Sequence, residues 1–381
     1  MIKKSKKIVV AMSGGVDSSV SAALLKRAGF HVTGIFMKCW GAERPNYPAQ
    51  RGGSVANIAD IGECTAEEDE QWARMAASQI NIPFYSVDLV KEYKNRVVDY
   101  FVNGYRAGVT PNPDVMCNKE IKFGMFYDLA INEFGGDYVA TGHYARIHRS
   151  DLCNCNYTGL TCVSCVRLLK GKDPNKDQSY FLWAVEREKF KNVLFPVGDY
   201  KKIKVRKLAR EFGLPNSDRP DSQGICFIGK VNVGNFLTQY IDQKPGVIVN
   251  SQGVEVGRHA GLHFYTIGQR RGIKIGGGLP YYVAQKNFAD NTLIVAREYD
   301  ESLMRKSLTA SNINWISAKP SFPFKCAAKI RYRQVDQDAI IKHEDNNGVF
   351  VEFKNPQRAV TSGQSIVFYK EDELIGGGII K

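Results

Sequence analysis

Short strand patterns and helical patterns alternate through residues 1–145, and this alternation constrains the fold more than any other feature. Strand patterns occupy residues 8–12, 31–37, 83–88 and 137–141, and helical patterns occupy residues 18–28, 64–80, 91–105 and 119–134. Strands interleaved with helices predict a parallel sheet with helices on both faces. Such sheets bind ligands at the carboxyl ends of their strands, so we expect a site in the loops that follow the strands.

The pattern changes along the rest of the chain and predicts further domains. Helical periodicity returns at 179–188 and 205–212, and Gly213-Leu-Pro215 ends the second of these helices. The chain then becomes Gly-rich with short strands, and its last part alternates apolar and polar residues between turns. We therefore predict an α/β domain (1–220, with a Cys-rich insertion at 150–166), a small central domain (221–298) and a C-terminal antiparallel β-barrel (299–381).

Composition narrows the class of protein. The 381 residues are 44% hydrophobic and 24% charged, which is typical of globular proteins. No apolar run reaches the ~18 residues of a membrane helix, and the start has no signal-peptide pattern. Nine cysteines, an odd number, indicate free thiols in a reducing compartment. We expect a cytoplasmic protein without a membrane partner.

The net charge suggests a partner. Lys and Arg number 52 against 39 Asp and Glu, which gives +13. An excess of this size is typical of proteins that bind nucleic acid, but an ordinary basic enzyme explains it equally well.

A loop suited to phosphate follows the first predicted strand. In Ser13-Gly-Gly-Val-Asp-Ser-Ser19, two glycines allow a tight turn and a close approach to a ligand. The helix after the loop offers N–H groups to an anion, and Asp17 could hold a Mg²⁺ ion that bridges phosphates. The Walker Gly-Lys-Ser/Thr ending and the third glycine of the dinucleotide fingerprint are both missing. The string resembles the pyrophosphate loop (PP-loop) of the N-type ATP pyrophosphatases, which implies adenylation by ATP.

Cys117 lies in a setting that suits a reactive thiol. Two prolines precede it, and Asn118 is a candidate helix start, which would place the thiol at a helix N-terminus. That position and the nearby Lys119 and Lys122 would lower the thiol pKa and favour the thiolate. A buried structural cysteine is the alternative.

The role of Cys226 is less clear from the neighbouring sequence. The neighbouring Ile, Phe and Ile are apolar and favour a core cysteine, whereas Gly224 and Gly229 indicate a loop that bends or approaches a ligand.

Several strings in the same order resemble bacterial tRNA-specific 2-thiouridylase. Besides the PP-loop they are Asn112-Pro-Asp-Val-Met-Cys117, Thr141-Gly-His-Tyr144, Lys176-Asp-Gln-Ser-Tyr-Phe181, Gly224-Ile-Cys226, Gly261-Leu-His-Phe-Tyr-Thr-Ile-Gly-Gln-Arg270, Arg331-Tyr-Arg-Gln334 and Gly363-Gln364. The resemblance extends from about residue 6 to the last residue printed. It implies a PP-loop ATP pyrophosphatase domain with a Rossmann-like parallel sheet at the N-terminal end.

The resemblance also implies a reaction. ATP adenylates the C2 oxygen of uridine 34 in the anticodon of tRNA, and sulfur from a cysteine persulfide replaces that oxygen. Cys226 would carry the persulfide and Cys117 would attack it or help to release its sulfur, leaving a disulfide between the two. Asp114 is the candidate acid or base. The implied cofactors are ATP and Mg²⁺, and a cysteine desulfurase or a sulfur-relay protein would supply the sulfur.

The resemblance assigns binding residues position by position. The nucleotide site would consist of Ala11, Met12, Ser13, Gly14, Gly15, Val16, Asp17, Ser18, Met37 and Gly142. The tRNA would contact Asn112, Pro113, Asp114, His143, Lys176, Asp177, Gln178, Arg331, Tyr332 and Gln364. Lys176 and Arg331 suit phosphates, Tyr332 suits a stacked base, and the target base must be flipped out of its stack.

The Cys-rich insertion is not a general feature of that family. Cys153, Cys155, Cys162 and Cys165 could hold one tetrahedral Zn²⁺ ion, or could belong to a reduced surface hairpin without metal. We assign no metal ligands in the predicted active site.

Two other functions and one other mechanism are compatible with parts of the sequence. Another adenylating PP-loop enzyme, such as a GMP or NAD synthetase, would share the loop but would leave the two thiols unexplained. A non-catalytic RNA-binding protein would explain the charge but not the loop. An iron–sulfur cluster held by Asp114, Cys117 and Cys226 could deliver sulfide in place of a persulfide.

Overall fold

The structure is a computed structural model that describes residues 5–40, 65–149, 166–221, 233–273, 275–276 and 278–381. Cys226 and the Cys-rich insertion lie outside these ranges. The α/β domain contains strands β1 (Lys7–Ala11), β2 (His31–Lys38), β3 (Phe84–Asp88), β4 (Tyr138–Ala140), β5 (Ala145–Arg149), β6 (Val166–Lys170) and β7 (Val193–Leu194). Its helices are α1 (Val16–Arg27), α2 (Ala66–Gln79), α3 (Val90–Tyr93), α4 (Asp99–Arg106), α5 (Pro113–Met116), α6 (Phe126–Asn132) and α7 (Lys202–Glu211).

The predicted parallel sheet is confirmed. Its strand order is β3-β2-β1-β4-β7, and every neighbouring pair is parallel. The chain leaves the central strand β1 toward β2 on one side and later returns to β4 on the other side. A crevice opens between β1 and β4 at such a switch point, and ligands bind there in open α/β sheets. The loop after β1 and the loop after β4 therefore face the same crevice.

Alternation along β1 explains why this strand is central. Ile8 and Val10 pack into the core beneath α1, α2 and α7, whereas Val9 and Ala11 pack into the opposite core beneath α3 and α4. All four side chains are buried. A strand covered on both faces has to be apolar throughout, which is why its sequence is a continuous hydrophobic run.

The helix that carries Cys117 begins earlier than its sequence suggested. Asn112 caps it, because the Asn112 side-chain oxygen accepts a hydrogen bond from the Val115 amide, and Pro113 takes the first helical position. The helix continues through a π-helical stretch, Cys117–Met125, into α6. The prediction of a helix start at Asn118 is therefore wrong, and Cys117 lies beyond the first turn.

The predicted helix at 179–188 is also wrong. The chain forms two 3₁₀ segments instead, Ser179–Leu182 and Arg187–Asn192. Apolar side chains at Tyr180, Leu182 and Trp183 are buried between the α/β domain and the barrel, so interdomain packing produces the helix-like spacing.

The central domain is a small mixed sheet. Its strands β8 (Gly246–Asn250), β9 (Glu255–His259), β10 (Tyr282–Asn287) and β11 (Thr292–Ala296) are arranged in the order β10-β11-β8-β9. Helix α8 (Val233–Leu237) precedes the sheet, and Phe236 and Leu237 of this helix pack into the core of the α/β domain.

The C-terminal part is the predicted antiparallel barrel. Its strands are β12 (Met304–Trp315), β13 (Phe324–Lys329), β14 (Gln337–Asp345), β15 (Gly348–Arg358), β16 (Ser365–Lys370) and β17 (Glu373–Ile380). They pair in the order β12-β15-β14-β13-β16-β17, and β17 pairs again with β12, which closes the barrel. The β5–β6 hairpin of the α/β domain extends this sheet through β17. Within the described ranges, no helix is long and apolar enough to cross a membrane.

Candidate active site

The PP-loop forms a turn at the carboxyl end of β1 that exposes the start of α1. Gly14 has a φ of +74°, a conformation that favours glycine. The Ser18 hydroxyl accepts from the Ser13 amide at 3.2 Å and donates to the Gly15 carbonyl at 3.1 Å. No side chain caps α1 at Gly15, so the first N–H groups of this helix are oriented toward the crevice, as in phosphate-binding loops.

Two side chains from far along the chain hold the loop in place. The Asn216 amide, which is fully buried, donates to the Gly14 carbonyl at 2.8 Å and to the Ser19 hydroxyl at 2.9 Å. Arg219 donates to the same carbonyl at 3.3 Å and pairs with Asp69 of α2 at 2.6 Å. The loop is therefore fixed before any nucleotide binds.

Asp17, the candidate Mg²⁺ ligand, lies between a phenol and an ammonium group. Its carboxylate accepts from the Tyr144 hydroxyl at 2.7 Å and from the Lys202 ammonium at 2.7 and 2.8 Å. Burial, together with the charge of Asp17, raises the pKa of Tyr144 far above its usual range, so this phenol remains a donor. A carboxylate oxygen in this position has the chemistry that Mg²⁺ prefers.

Lys202 connects the PP-loop to a second carboxylate. Its ammonium lies 2.8 Å from Asp221, and Asp221 also pairs with Lys176 at 2.5 Å and with Arg206 at 2.6 Å. Partial burial raises the pKa of Asp221, but hydrogen bonds and charges from Lys176 and Lys202 outweigh it and hold that pKa well below its usual range. One carboxylate thus gathers three cations beside the crevice.

The two strand-end residues assigned to the nucleotide site lie as the sheet topology requires. Gly142 follows β4 and packs on the start of α1, where a Cβ atom would come within 2.6 Å of the Ser18 amide nitrogen. Met37 lies near the end of β2 and is buried against Ala11 and Cys39. Both residues flank the PP-loop, and their contact with nucleotide stays a prediction.

His143 is a buried neutral imidazole. Its Nδ1 lies 2.6 Å from the Thr141 hydroxyl, and its ring packs between Phe123 and Phe195. Burial and the nearby Lys122 charge lower the pKa of His143 well below 6.5. Its contact with tRNA stays a prediction, and the residue is only 7% exposed.

Asp114 and Cys117 are three residues apart on one helix, so they lie on the same face. Asp114 is half-buried in the first turn and Cys117 is fully buried. The π-helical stretch that begins at Cys117 is of the kind frequently found at functional sites.

The barrel contacts the segment that leads into this helix. The Gln364 amide donates to the carbonyls of Thr110 at 2.9 Å and Pro111 at 3.3 Å, and the Thr110 amide donates to the Ser362 carbonyl at 2.9 Å. Gly363 fits closely here, because a Cβ would come within 2.9 Å of the Thr110 backbone. Gln364 is thus brought next to Asn112, Pro113 and Asp114.

Aromatic packing brings Arg331 and Tyr332 to the same side of the α/β domain. The Tyr332 ring lies 4.5 Å from the Phe181 ring and 6.4 Å from the Tyr180 ring, and Tyr332 is half-buried. Arg331 is exposed, and its guanidinium donates to the Arg358 and Ala359 carbonyls. The barrel loop between β13 and β14 therefore presents a cation, Arg331, and a partly exposed aromatic ring, Tyr332.

Lys176, Asp177 and Gln178 form the turn opposite Tyr332. Asp177 is buried and accepts from the Gly171 and Ser179 amides, and the Gln178 side chain accepts from the Tyr144 amide at 2.9 Å. These two side chains hold the turn, whereas Lys176 reaches Asp221. The structure thus brings the predicted tRNA residues together along the junction of the two domains, while their roles stay predictions.

Sequence reasoning missed Asn216, Lys202, Arg219 and Asp221. None belongs to a local motif, and each reaches the PP-loop or its neighbours only through the tertiary fold. Lys202 lies three residues before the helical pattern predicted at 205–212, so no predicted element marked it.

One observation bears on metal clusters. Among the residues that the structure describes, no three His, Cys, Asp or Glu side chains are close enough together to hold a metal ion. The zinc and iron–sulfur hypotheses both involve cysteines outside those ranges, so they remain open.

Taken together, the sheet, its PP-loop and the two following β-domains define an α/β protein of the ATP-pyrophosphatase type. Three family models match in the order of the domains: a tRNA methyl transferase HUP domain at 6–230, a PRC-barrel domain at 234–297 and an aminomethyltransferase β-barrel domain at 305–380.

Curated relatives match over nearly the whole chain and specify the family. The tRNA-specific 2-thiouridylase MnmA 1 of Geobacillus kaustophilus is 46% identical over 99% of this chain and 96% of its own. The MnmA proteins of Staphylococcus aureus MSSA476 (44%, 100% and 96%) and Streptococcus sanguinis (45%, 98% and 95%) are similarly close. The chain belongs to the tRNA-specific 2-thiouridylase family.

Proposed function

We propose that this protein is a tRNA-uridine 2-sulfurtransferase that uses ATP to convert uridine 34 of tRNA into 2-thiouridine, with release of AMP and pyrophosphate. The observation that carries the proposal is the position of the helix with Asp114 and Cys117. The segment that leads into this helix is hydrogen-bonded to the barrel loop at Gln364, and its domain holds the PP-loop at the sheet's switch point. One crevice can therefore accept both a nucleotide and a base presented from the barrel side.

The residues around the PP-loop fit a triphosphate. The open start of α1 offers N–H donors to phosphate oxygens, and Lys202 adds a cation. Asp17 would hold Mg²⁺ between phosphates. ATP supplies the adenylyl group that makes the C2 oxygen of uridine a good leaving group.

The two thiols perform the sulfur transfer. The outer sulfur of a Cys226 persulfide attacks C2 and AMP leaves with its oxygen. The Cys117 thiolate then attacks the Cys226 sulfur, which breaks the bond to the transferred sulfur and leaves a Cys117–Cys226 disulfide. An external thiol reductant restores both cysteines. Asp114, on the same helix face as Cys117, is the candidate proton carrier.

Chain connectivity agrees with the proposed pairing of these cysteines. Asp221 is anchored beside the PP-loop through Lys202, and Cys226 follows it five positions later in the sequence.

Partners and location follow from the chemistry. A cysteine desulfurase or a sulfur-relay protein supplies the persulfide, and reduction of the disulfide requires the thiol-rich environment of the cytoplasm. The description of the first family model names methyl transfer, but that reaction has no pyrophosphate leaving group for a PP-loop to bind.

The experiment is direct. The purified protein is incubated with ATP, Mg²⁺, unmodified tRNA and a persulfide source, and the digested tRNA is examined by mass spectrometry. We expect 2-thiouridine at position 34, with stoichiometric AMP and pyrophosphate. Intact tRNA binding without product, when several persulfide donors have been supplied, would favour another adenylated substrate.

Two cysteine variants test the mechanism. Cys226→Ala should retain ATP and tRNA binding but form no product. Cys326→Ala is the matched control, because this barrel cysteine lies on β13 and burial raises its thiol pKa to about 12, so it is no nucleophile at neutral pH. Normal product from Cys226→Ala would contradict the persulfide assignment. Activity of a colourless, anaerobically purified enzyme without added iron would exclude the cluster alternative.

A further inference from the structure

A cavity of about 390 Å³ lies where the three domains meet, away from the PP-loop. Gly108 and Thr110 line it from the α/β domain, strand β10 lines it from the central domain, and the start of β12 with residues 359–362 lines it from the barrel. A space bounded by three domains exists only when they are assembled as in this structure.

The charge lining this cavity has one sign. Its charged lining residues are Lys286, Arg305 and Lys381, and none of its lining residues is Asp or Glu. Thr110 and Ser307 add hydroxyl groups to the wall. Lys286 is half-buried, and a half-buried cation is normally paired with a carboxylate, so its position in a wall without one favours an anionic ligand.

Lys286 is held by main-chain carbonyls. Its ammonium donates to the Gly108 carbonyl at 2.6 Å and to the Tyr265 carbonyl at 3.1 Å. Carbonyls orient an ammonium without neutralising it, and an ammonium has three N–H donors. Burial lowers the pKa of Lys286 to about 8, which shows that the surroundings penalise its charge and that a bound anion would relieve the penalty.

Arg305 is oriented in the same manner from the barrel. Its guanidinium donates to the Ser302 carbonyl at 3.3 Å and to the Met304 carbonyl at 2.9 Å. Arg305 itself is exposed, so its remaining donors are accessible from solvent. A guanidinium fork that is still open suits the paired oxygens of a phosphate.

The cavity wall is continuous with the proposed tRNA surface. Thr110 and Ser362 both line the cavity and are joined by a backbone hydrogen bond. Thr110 lies two residues before Asn112, and Ser362 lies two residues before Gln364. Ala359, also in the wall, accepts a hydrogen bond from Arg331. A polynucleotide that lies along those residues would pass the mouth of the cavity.

We propose that the cavity between Lys286 and Arg305 is a phosphate-binding site that takes a backbone phosphate of the tRNA substrate, away from the target base. The proposal rests on the proposed function, because it assumes a tRNA that approaches along the junction of the α/β domain and the barrel. The site contributes affinity and orientation without reading sequence.

The test compares charge-matched variants in tRNA binding, without any need for thiolation. Arg305→Gln should weaken tRNA binding about 3- to 10-fold and reduce the slope of log affinity against log salt by about 0.7–0.9, the loss of one phosphate contact. Lys306→Gln removes the same charge from the next residue, which does not line the cavity, and should change neither quantity. Arg305→Lys should restore part of the loss.

Lys286→Gln provides an independent variant, since glutamine keeps a donor for the Gly108 carbonyl. Its thermal melting curve serves as the folding check. We expect this variant to weaken tRNA binding about as much as Arg305→Gln does. If both residues bind one phosphate, the fold-loss of affinity in the double variant should be smaller than the product of the two single fold-losses.

Equilibrium dialysis with labelled inorganic phosphate distinguishes the source of the anion. A phosphate site present in the wild type and lost in Arg305→Gln, with unchanged tRNA affinity, would overturn the tRNA assignment in favour of a free anion. Equal tRNA binding by Arg305→Gln and Lys306→Gln, without a phosphate site, would overturn the proposal altogether. Normal tRNA binding without thiolation would instead contradict the proposed function, and the comparison of tRNA affinities could still be interpreted.

Discussion

Replacing Gly14 by alanine tests whether the PP-loop owes its shape to one backbone position. Gly14 has a φ of +74°, which costs an alanine about 1–2 kcal/mol. A Cβ built there would also come within 2.2 Å of the Asp69 carbonyl oxygen, a backbone atom in the first turn of α2. Restoring van der Waals separation requires a shift of roughly 1 Å between the loop and the helix.

That shift disturbs the bonds that hold the loop. The Gly14 carbonyl accepts from Asn216 and Arg219, and Arg219 also pairs with Asp69 on the other side of the clash. Overpacking of this kind costs about 1–3 kcal/mol. With the backbone strain, we expect Gly14→Ala to destabilise the α/β domain by about 2–5 kcal/mol, or about 4–20 °C in melting temperature for a domain of this size.

Gly15→Ala is the matched control. Gly15 has a φ of −80°, which any residue adopts, and the nearest atom to a Cβ there is the Ser13 hydroxyl oxygen at 3.4 Å. Gly15 is, however, the N-cap of α1, where alanine is less favourable than glycine, so Gly15→Ala should cost about 1 kcal/mol or less. The two variants carry the same change at adjacent positions but should differ in stability by roughly 1–4 kcal/mol.

The assays are thermal melting of the free proteins and ATP binding by calorimetry. We expect Gly14→Ala to melt at a lower temperature and to bind ATP at least about tenfold more weakly, because displaced amides lose charge-assisted bonds to phosphate. Equal melting temperatures for the two variants would refute the steric argument. A destabilised Gly14→Ala protein with normal ATP affinity would refute the role of this loop in nucleotide binding.

Two further predictions concern charge. Asp221→Asn should lower the free energy of unfolding by about 1–3 kcal/mol in urea titrations, because three cations lose their common carboxylate. Asp218→Asn, whose pair with Arg210 is exposed on both sides, should lower the free energy of unfolding much less, and equal losses would argue against a special role for Asp221. Burial lowers the pKa of His143, so the folded state binds fewer protons than the unfolded state below pH 6.5, and stability should fall from pH 7 to pH 5 by up to about 1.4 kcal/mol per unit. His143→Gln should flatten this dependence whereas exposed His343→Gln should not, and identical pH profiles for both would count against a buried neutral His143.

Local patterns were sufficient for the sheet and its loop. β1 is apolar on both faces, the glycines follow it, and α1 begins at once, so strand, turn and helix could all be predicted from adjacent residues. The order of strands could not, since it depends on which elements pack together. The position of Gly142 beside Ser18 was available only through the resemblance to the family.

The helix start shows how a correct signal can be misread. Asn112 followed by Pro113 is a typical N-cap and first position, whereas the prediction placed the helix start at Asn118. The error moved Cys117 from inside the helix to its beginning. At 179–188 the misleading signal was burial itself, since apolar residues that pack between domains need no helix.

Long-range partners explain what remained hidden. Asn216 and Lys202 lie about 200 residues along the chain from the loop that they contact. Lys202 also affects two proposed sites. A phosphate that enters the PP-loop brings negative charge toward Asp17, and the Lys202 ammonium already in contact with Asp17 offsets the repulsion. The same ammonium bonds Asp221, whose other partner, Lys176, belongs to the proposed tRNA surface. Lys202 therefore links the proposed nucleotide site to the proposed tRNA surface through Asp17 and Asp221. Replacing either carboxylate should change the binding of both ATP and tRNA, an effect that neither sequence motif indicates alone.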